Sequence, residues 1–126
     1  MGGCLSLVAS LVGTPFLPSF RDTVLFLEDT GVKPYQIDRL WTQLRLSGAL
    51  AGVRGIVFGE MPACEQAPGQ GYSLTDVLTE LTLDLGVPVV FGFPSGHTTS
   101  PAMTLPFGVS ARLSEARLTL LEGAVT

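Results

Sequence analysis

His97 is the only histidine among the 126 residues. An imidazole that serves as a general base needs its second ring nitrogen held by an acceptor. The candidate acceptors follow compact apolar runs: Glu28-Asp29 comes after Thr23–Leu27, and Glu60 comes after Gly55–Gly59. Gly96, one residue before the histidine, allows a tight backbone turn and leaves room beside the ring. The plainer alternatives are a solvated loop histidine, a solvated strand end at Glu28 and a turn former at Asp29. A nucleophile is harder to find. A Ser-His-acid machine needs a serine on a sharp elbow, often Gly-x-Ser-x-Gly, with backbone N–H groups forming an oxyanion hole. No serine stands in such a setting. Ser95 and Ser100 flank His97, too close along one loop to reach its ring with attack geometry. The Gly-x-Gly-x-x-Gly and P-loop patterns are absent. Asp38-Arg39 reads as a helix-surface pair or an interface contact.

The elements that must position these groups are marked by turn residues. A first short helix spans Leu5 to Val12 and ends at Gly13-Thr14-Pro15. Thr23–Leu27 is a buried strand. Pro34-Tyr35 opens a helix whose Ile37, Leu40, Trp41, Leu44 and Gly48 form one stripe, and Gly52 closes it. Gly55–Gly59 is a second buried strand, followed by a Pro- and Gly-containing loop to Gly71. Ser73 and Asp76 make a capping-box start for a helix with a Leu74, Val77, Leu78, Leu81 and Leu85 stripe, stopped at Gly86. Pro88–Phe91 is a third strand. Leu105–Val109, Ala111–Leu113 and Leu118–Leu121 are short strands of a tail. The expected fold is α/β: a small mixed sheet with a parallel βαβαβ core and a β-rich C-terminal tail whose strands add antiparallel edges. Parallel strands end on one side, so Glu28-Asp29, Glu60 and Gly96-His97 gather along one edge, where α/β proteins bind ligands.

Composition narrows the function classes. Charged residues are 14% of the chain, against about 25% in a typical soluble domain. Seven Lys+Arg against eleven Asp+Glu give a net charge of −4, which excludes a basic nucleic-acid binder. The mean hydropathy of +0.44 is high, yet runs such as Leu5–Val12 and Val87–Phe91 fall far short of the ~20 residues that cross a bilayer. Few charges imply large uncharged faces, as on a domain whose surface is partly covered by a partner. Cys4 and Cys64 make no disulfide framework, and with one histidine and no Cys-x-x-Cys a closed zinc site is not expected. Met1-Gly2-Gly3-Cys4-Leu5-Ser6 matches a short acylation pattern, but no basic segment follows to supply a second membrane signal.

Several segments occur in an order and spacing that resemble one family: Gly2-Gly3-Cys4-Leu5-Ser6-Leu7, Leu25-Phe26-Leu27-Glu28-Asp29, Tyr35-Gln36-Ile37-Asp38-Arg39, Gln43-Leu44-Arg45, Gly55-Ile56-Val57-Phe58-Gly59, Pro88-Val89, Gly96-His97 and Leu105-Pro106-Phe107-Gly108-Val109. Together they resemble the C-terminal domain of the LD-carboxypeptidases, serine peptidases that include muramoyl-tetrapeptide carboxypeptidase and the microcin C immunity peptidase. The resemblance runs nearly end to end. It implies a two-domain enzyme whose N-terminal domain carries the serine and the oxyanion hole. The C-terminal domain supplies Glu28 and His97 to a Ser-Glu-His triad. It further implies a single domain over residues 1–126, a nucleophile domain as missing partner, and no activity for the isolated chain. A murein tetrapeptide losing its terminal D-alanine is the implied substrate, the bacterial cytoplasm the implied location and a homodimer the implied assembly. No cofactor, metal, nucleic acid or membrane is expected. Cys4 departs from the family, where an Asn is common. The rival expectation is a non-enzymatic α/β module that binds a partner or itself.

Overall fold

The computed structural model describes residues 1–99 and 101–125. Four parallel strands lie side by side in chain order: β1 (Gly2–Cys4), β2 (Val24–Glu28), β3 (Gly55–Gly59) and β4 (Val89–Phe93). Between them run α1 (Leu5–Ser10), α2 (Pro34–Leu46) and α3 (Leu74–Thr82), the last prolonged by a 3-10 turn at Leu83–Leu85. The tail folds into an antiparallel pair, β5 (Ala111–Ser114) with β6 (Arg117–Leu120).

Period-2 alternation splits the central strands between two cores. Leu25, Leu27, Ile56 and Phe58 face the helices and pack with Leu5, Val8, Ile37, Trp41, Leu44, Leu74 and Leu78. Phe26 and Val57 face the other way, where Leu113 covers them with help from Val24, Val90, Phe93, Leu105 and Leu118. A sheet covered on both sides needs strands that are apolar at every position, and all five residues of β3 are buried. Trp41 is fully buried against Phe58, their ring centres 5.7 Å apart.

Helix starts follow their local chemistry. At α3, Ser73 Oγ accepts from Asp76 N at 3.1 Å and Ser73 N donates to Asp76 Oδ2 at 2.7 Å, the expected capping box. At α2, Lys33 N donates to the Gln36 side chain at 2.9 Å, with Pro34 in the first helical position. The α2 helix stops at Leu46, short of Gly52, as the Ser47 hydroxyl turns back to the Leu44 carbonyl.

Three expectations need revising while the α/β class stands. Gly2–Cys4 is a strand, where the sequence reading has no element ahead of the helix at Leu5; its partner is 24 residues away, and two glycines carry no apolar pattern. The tail strands pair with each other and do not extend the main sheet. Leu105–Val109 is not a strand: its apolar residues serve as a lid, with Leu105 on the second core and Phe107 6.2 Å from Phe26. No helix among the described residues is long and apolar enough to cross a membrane.

Candidate active site

The C-terminal ends of β2, β3 and β4 lie along one edge, so Glu28, Gly59 and Phe93 are neighbours there. Past Phe93 the chain makes two tight turns. Ser95 N donates to Phe93 O at 2.7 Å, and Thr98 N donates to Gly96 O at 3.0 Å, closing a turn centred on His97. Met103 N donates to Pro94 O at 2.7 Å and ties the loop's far end back to its start.

These turns set His97 on Glu28. The ring Nδ1 lies 2.7 Å from Glu28 Oε2, and the backbone N–H of His97 donates to the same oxygen at 2.9 Å. Glu28 is 5% exposed, whereas the His97 side chain is 55% exposed. A carboxylate accepting at Nδ1 selects the tautomer with the proton there and leaves the lone pair on Nε2, across the ring from Glu28. Such an imidazole can take a proton from a hydroxyl offered from outside, and the buried carboxylate stabilises the cation that forms.

Two glycines make the pairing sterically feasible. Gly96 has φ +86°, and a Cβ there would lie 2.3 Å from Glu28 Cγ and 2.7 Å from Oε2. The room it leaves is therefore for the carboxylate rather than for the ring. At Gly59 a Cβ would lie 2.7 Å from Ser95 O and 2.8 Å from Glu28 Cβ, so the histidine turn could not settle over β3.

The other edge residues have separate tasks. Asp29, 3% exposed, does not contribute to the His97 pair. Its Oδ2 accepts from Ser6 N at 2.9 Å and Ser6 Oγ at 2.6 Å, and Oδ1 accepts from Thr30 N at 2.8 Å. Cys4, the residue before α1, makes no side-chain cap, so Asp29, the residue after β2, supplies the acceptor that a capping residue normally provides. Nothing in the local sequence signals this, because the two residues are 23 apart. Glu60 Oε2 accepts from the Thr98 hydroxyl and, at 3.2 Å, from Thr99 N, two contacts the residue spacing does not reveal. Cys4 lies opposite Glu28 in the β1–β2 register; burial pushes its thiol up from 9.0, and the charges of Asp29 and Glu28 push the same way. Cys64 is fully buried and likewise raised by burial. Among the described residues no hydrogen bond joins Ser95 Oγ to the His97 ring; Ser100 lies outside them. Nor, among them, do three His, Cys, Asp or Glu side chains come together as a metal site. A cleft of about 310 Å³ opens beside the histidine loop, walled by Phe58, Glu60, Glu65, Leu74, Phe91 and Thr99.

The four-stranded parallel sheet thus carries an acid–histidine pair on the edge where α/β proteins bind ligands. The sequence model for the LD-carboxypeptidase C-terminal domain matches residues 1–113, and the chain belongs to that family. It is 37% identical to a Bacillus subtilis protein named "Probable murein peptide carboxypeptidase" over 128 residues, covering 100% of this chain and 40% of the relative. Among solved structures it resembles muramoyltetrapeptide carboxypeptidase from Oxalobacter formigenes, with a TM-score of 0.69 and 36% identity over 77% of this chain and 34% of that one. It also resembles the microcin C7 self-immunity protein MccF in complex with aspartyl sulfamoyl adenosine, with a TM-score of 0.66 and 28% identity over 77% of this chain and 29% of that one. The chain spans about 35 to 40% of the length of the curated relatives it matches first.

Proposed function

We propose that this chain forms the triad-completing part of a serine-type LD-carboxypeptidase, with His97 as general base and then acid, and Glu28 as its orienting partner. The observation that carries the reading is the 2.7 Å contact between His97 Nδ1 and a buried Glu28 oxygen, on a ring more than half exposed. The nucleophilic serine and the oxyanion hole come from a second domain docked on the edge that bears the pair. As the serine oxygen attacks the scissile carbonyl, His97 Nε2 takes its proton. Glu28 keeps the Nδ1 proton in place and stabilises the imidazolium without itself becoming protonated. His97 then protonates the leaving amine, and the acyl-enzyme is resolved by a water that His97 activates in turn.

The substrate that fits the relatives' names is a murein tetrapeptide, with release of its terminal D-alanine in cell-wall recycling in the bacterial cytoplasm. The enzyme acts as a homodimer, and the 126 residues alone, lacking the nucleophile, are inactive. The test is hydrolysis of a murein tetrapeptide by this chain joined to, or mixed with, the serine-bearing domain of a family member. His97→Ala and Glu28→Ala should each lower kcat by about three to four orders of magnitude. A His97→Ala enzyme that keeps its full rate overturns the assignment.

A further inference from the structure

We infer that Glu60 is a positioning residue for His97, holding the side of the histidine loop that Glu28 does not reach. This deepens the reading of His97 as the base and rests on it. The two acids act alike. Each gathers donors from the histidine loop on one oxygen: among the described residues Glu28 Oε2 receives the N–H and Nδ1 of His97, and Glu60 Oε2 receives the Thr98 hydroxyl and the Thr99 N–H. Hydrogen bonds to an ionised acceptor are stronger than neutral ones, so a carboxylate is an effective clamp for a short loop.

Glu60 is itself fixed. Its backbone N donates to Phe93 O at 2.9 Å, which carries the β3–β4 pairing one step past the strand and sets the carboxylate at the root of the loop. A second anchor matters here because the His97 side chain is 55% exposed, so solvent borders much of the ring. Glu28 and the backbone turns at Phe93–Thr98 hold the loop as far as His97; without a grip on the residues that follow, the turn centred on His97 could open and carry Nδ1–H away from the carboxylate. With Glu60 holding the next two residues, the turn centred on His97 stays closed and Nε2 stays directed away from Glu28. A displacement of about 1 Å at such a group can cost on the order of a hundredfold in rate.

Because His97 is the single histidine, the ring ¹⁵N signals of this chain report its tautomer without ambiguity. The wild-type chain should show the Nδ1-protonated form almost alone. In Glu60→Ala and in Thr98→Val, which removes one donor from the same clamp, the Nε2-protonated form of an unrestrained histidine should rise to comparable population. Glu60→Gln, which keeps an acceptor, should restore part of the wild-type pattern. In the two-domain enzyme Glu60→Ala should lower kcat about ten- to a hundredfold and leave KM within about twofold. A tautomer unchanged in both folded variants sinks the role of Glu60 and leaves the His97–Glu28 reading intact. A rise in KM with kcat unchanged makes Glu60 a substrate contact and equally overturns the inference. If the wild-type chain already shows mainly the Nε2-protonated form, the reading of His97 and Glu28 fails first, and this inference with it.

Discussion

One oxygen of Glu28 receives two donors from His97, the ring Nδ1 at 2.7 Å and the backbone N–H at 2.9 Å, across a separation of 69 residues. The carboxylate therefore fixes the backbone and the tautomer of the histidine together. Glu28→Gln keeps the shape and an acceptor but removes the charge that stabilises an imidazolium. On the proposed reading, when this chain is joined to the serine-bearing domain of a family member, kcat should fall about three to four orders of magnitude, with KM little changed. Steady-state kinetics on a murein tetrapeptide measure this, and a loss of less than tenfold contradicts the role of the charge.

Gly96 is required by the site more than by the fold. Gly96→Ala puts a side chain at φ +86° and a Cβ within 2.3 Å of Glu28 Cγ. The backbone strain and the overpacking together should cost roughly 2–4 kcal/mol. The carboxylate must also move off the ring, so the Nδ1-protonated tautomer should decline in the ¹⁵N spectrum. A variant that loses stability yet keeps the wild-type tautomer would show that Glu28 has room to yield.

Asp29 can be separated from its neighbour. Asp29→Ala strips α1 of the acceptor for Ser6 N and Ser6 Oγ and leaves Thr30 N without its side-chain partner. Stability should drop by about 1–3 kcal/mol, measured by denaturant unfolding followed through the lone Trp41. The His97 tautomer should not change. A catalytic role for Asp29 predicts the reverse: a rate loss with stability preserved.

The α3 capping box gives stability a dependence on acid. Donation from Ser73 N and Ser73 Oγ holds the Asp76 carboxyl below its ordinary value of 3.8. A carboxylate whose folded value is depressed contributes above its unfolded value and loses the contribution as pH falls through the folded one. Asp76→Ala should therefore melt at a lower temperature than wild type at about pH 7. The two curves should converge as the pH falls below 3.8 and through the lowered folded value. Melting temperatures by circular dichroism across that range decide it, and a gap that persists at the acid end rules the mechanism out.

Much of this site was legible before any coordinates. Compact runs such as Thr23–Leu27 and Gly55–Gly59, each followed by an acid, place Glu28 and Glu60 at strand ends because buried parallel strands leave polar residues only where they emerge. The capping box at Ser73 was equally plain, being contained in four consecutive residues. The strand at Gly2–Cys4, the cap that Asp29 gives to Ser6 and the grip of Glu60 on Thr98 and Thr99 were not, since each joins residues 23 or more positions apart. The tail misled for a related reason: Leu105–Val109 is apolar because it covers Phe26, and burial against a face needs no strand geometry.

The sequence by itself determined the α/β class, the direction in which the strands run and hence the edge on which an imidazole and its acids gather, because these follow from local periodicity and turn chemistry. Strand ends alone left Glu28, Asp29 and Glu60 open as the acid that takes the histidine; the family resemblance pointed to Glu28, and the tertiary structure shows why the contact falls there. Glu28 and Asp29 are adjacent in the chain and identical in charge, but the last residue of β2 faces the space left open at Gly59 and Gly96, while the next residue faces the start of α1. Alternation along a strand, together with the absence of a Cβ at two glycines on other segments, makes that choice, and neither is expressed in the spacing of the residues that carry the chemistry.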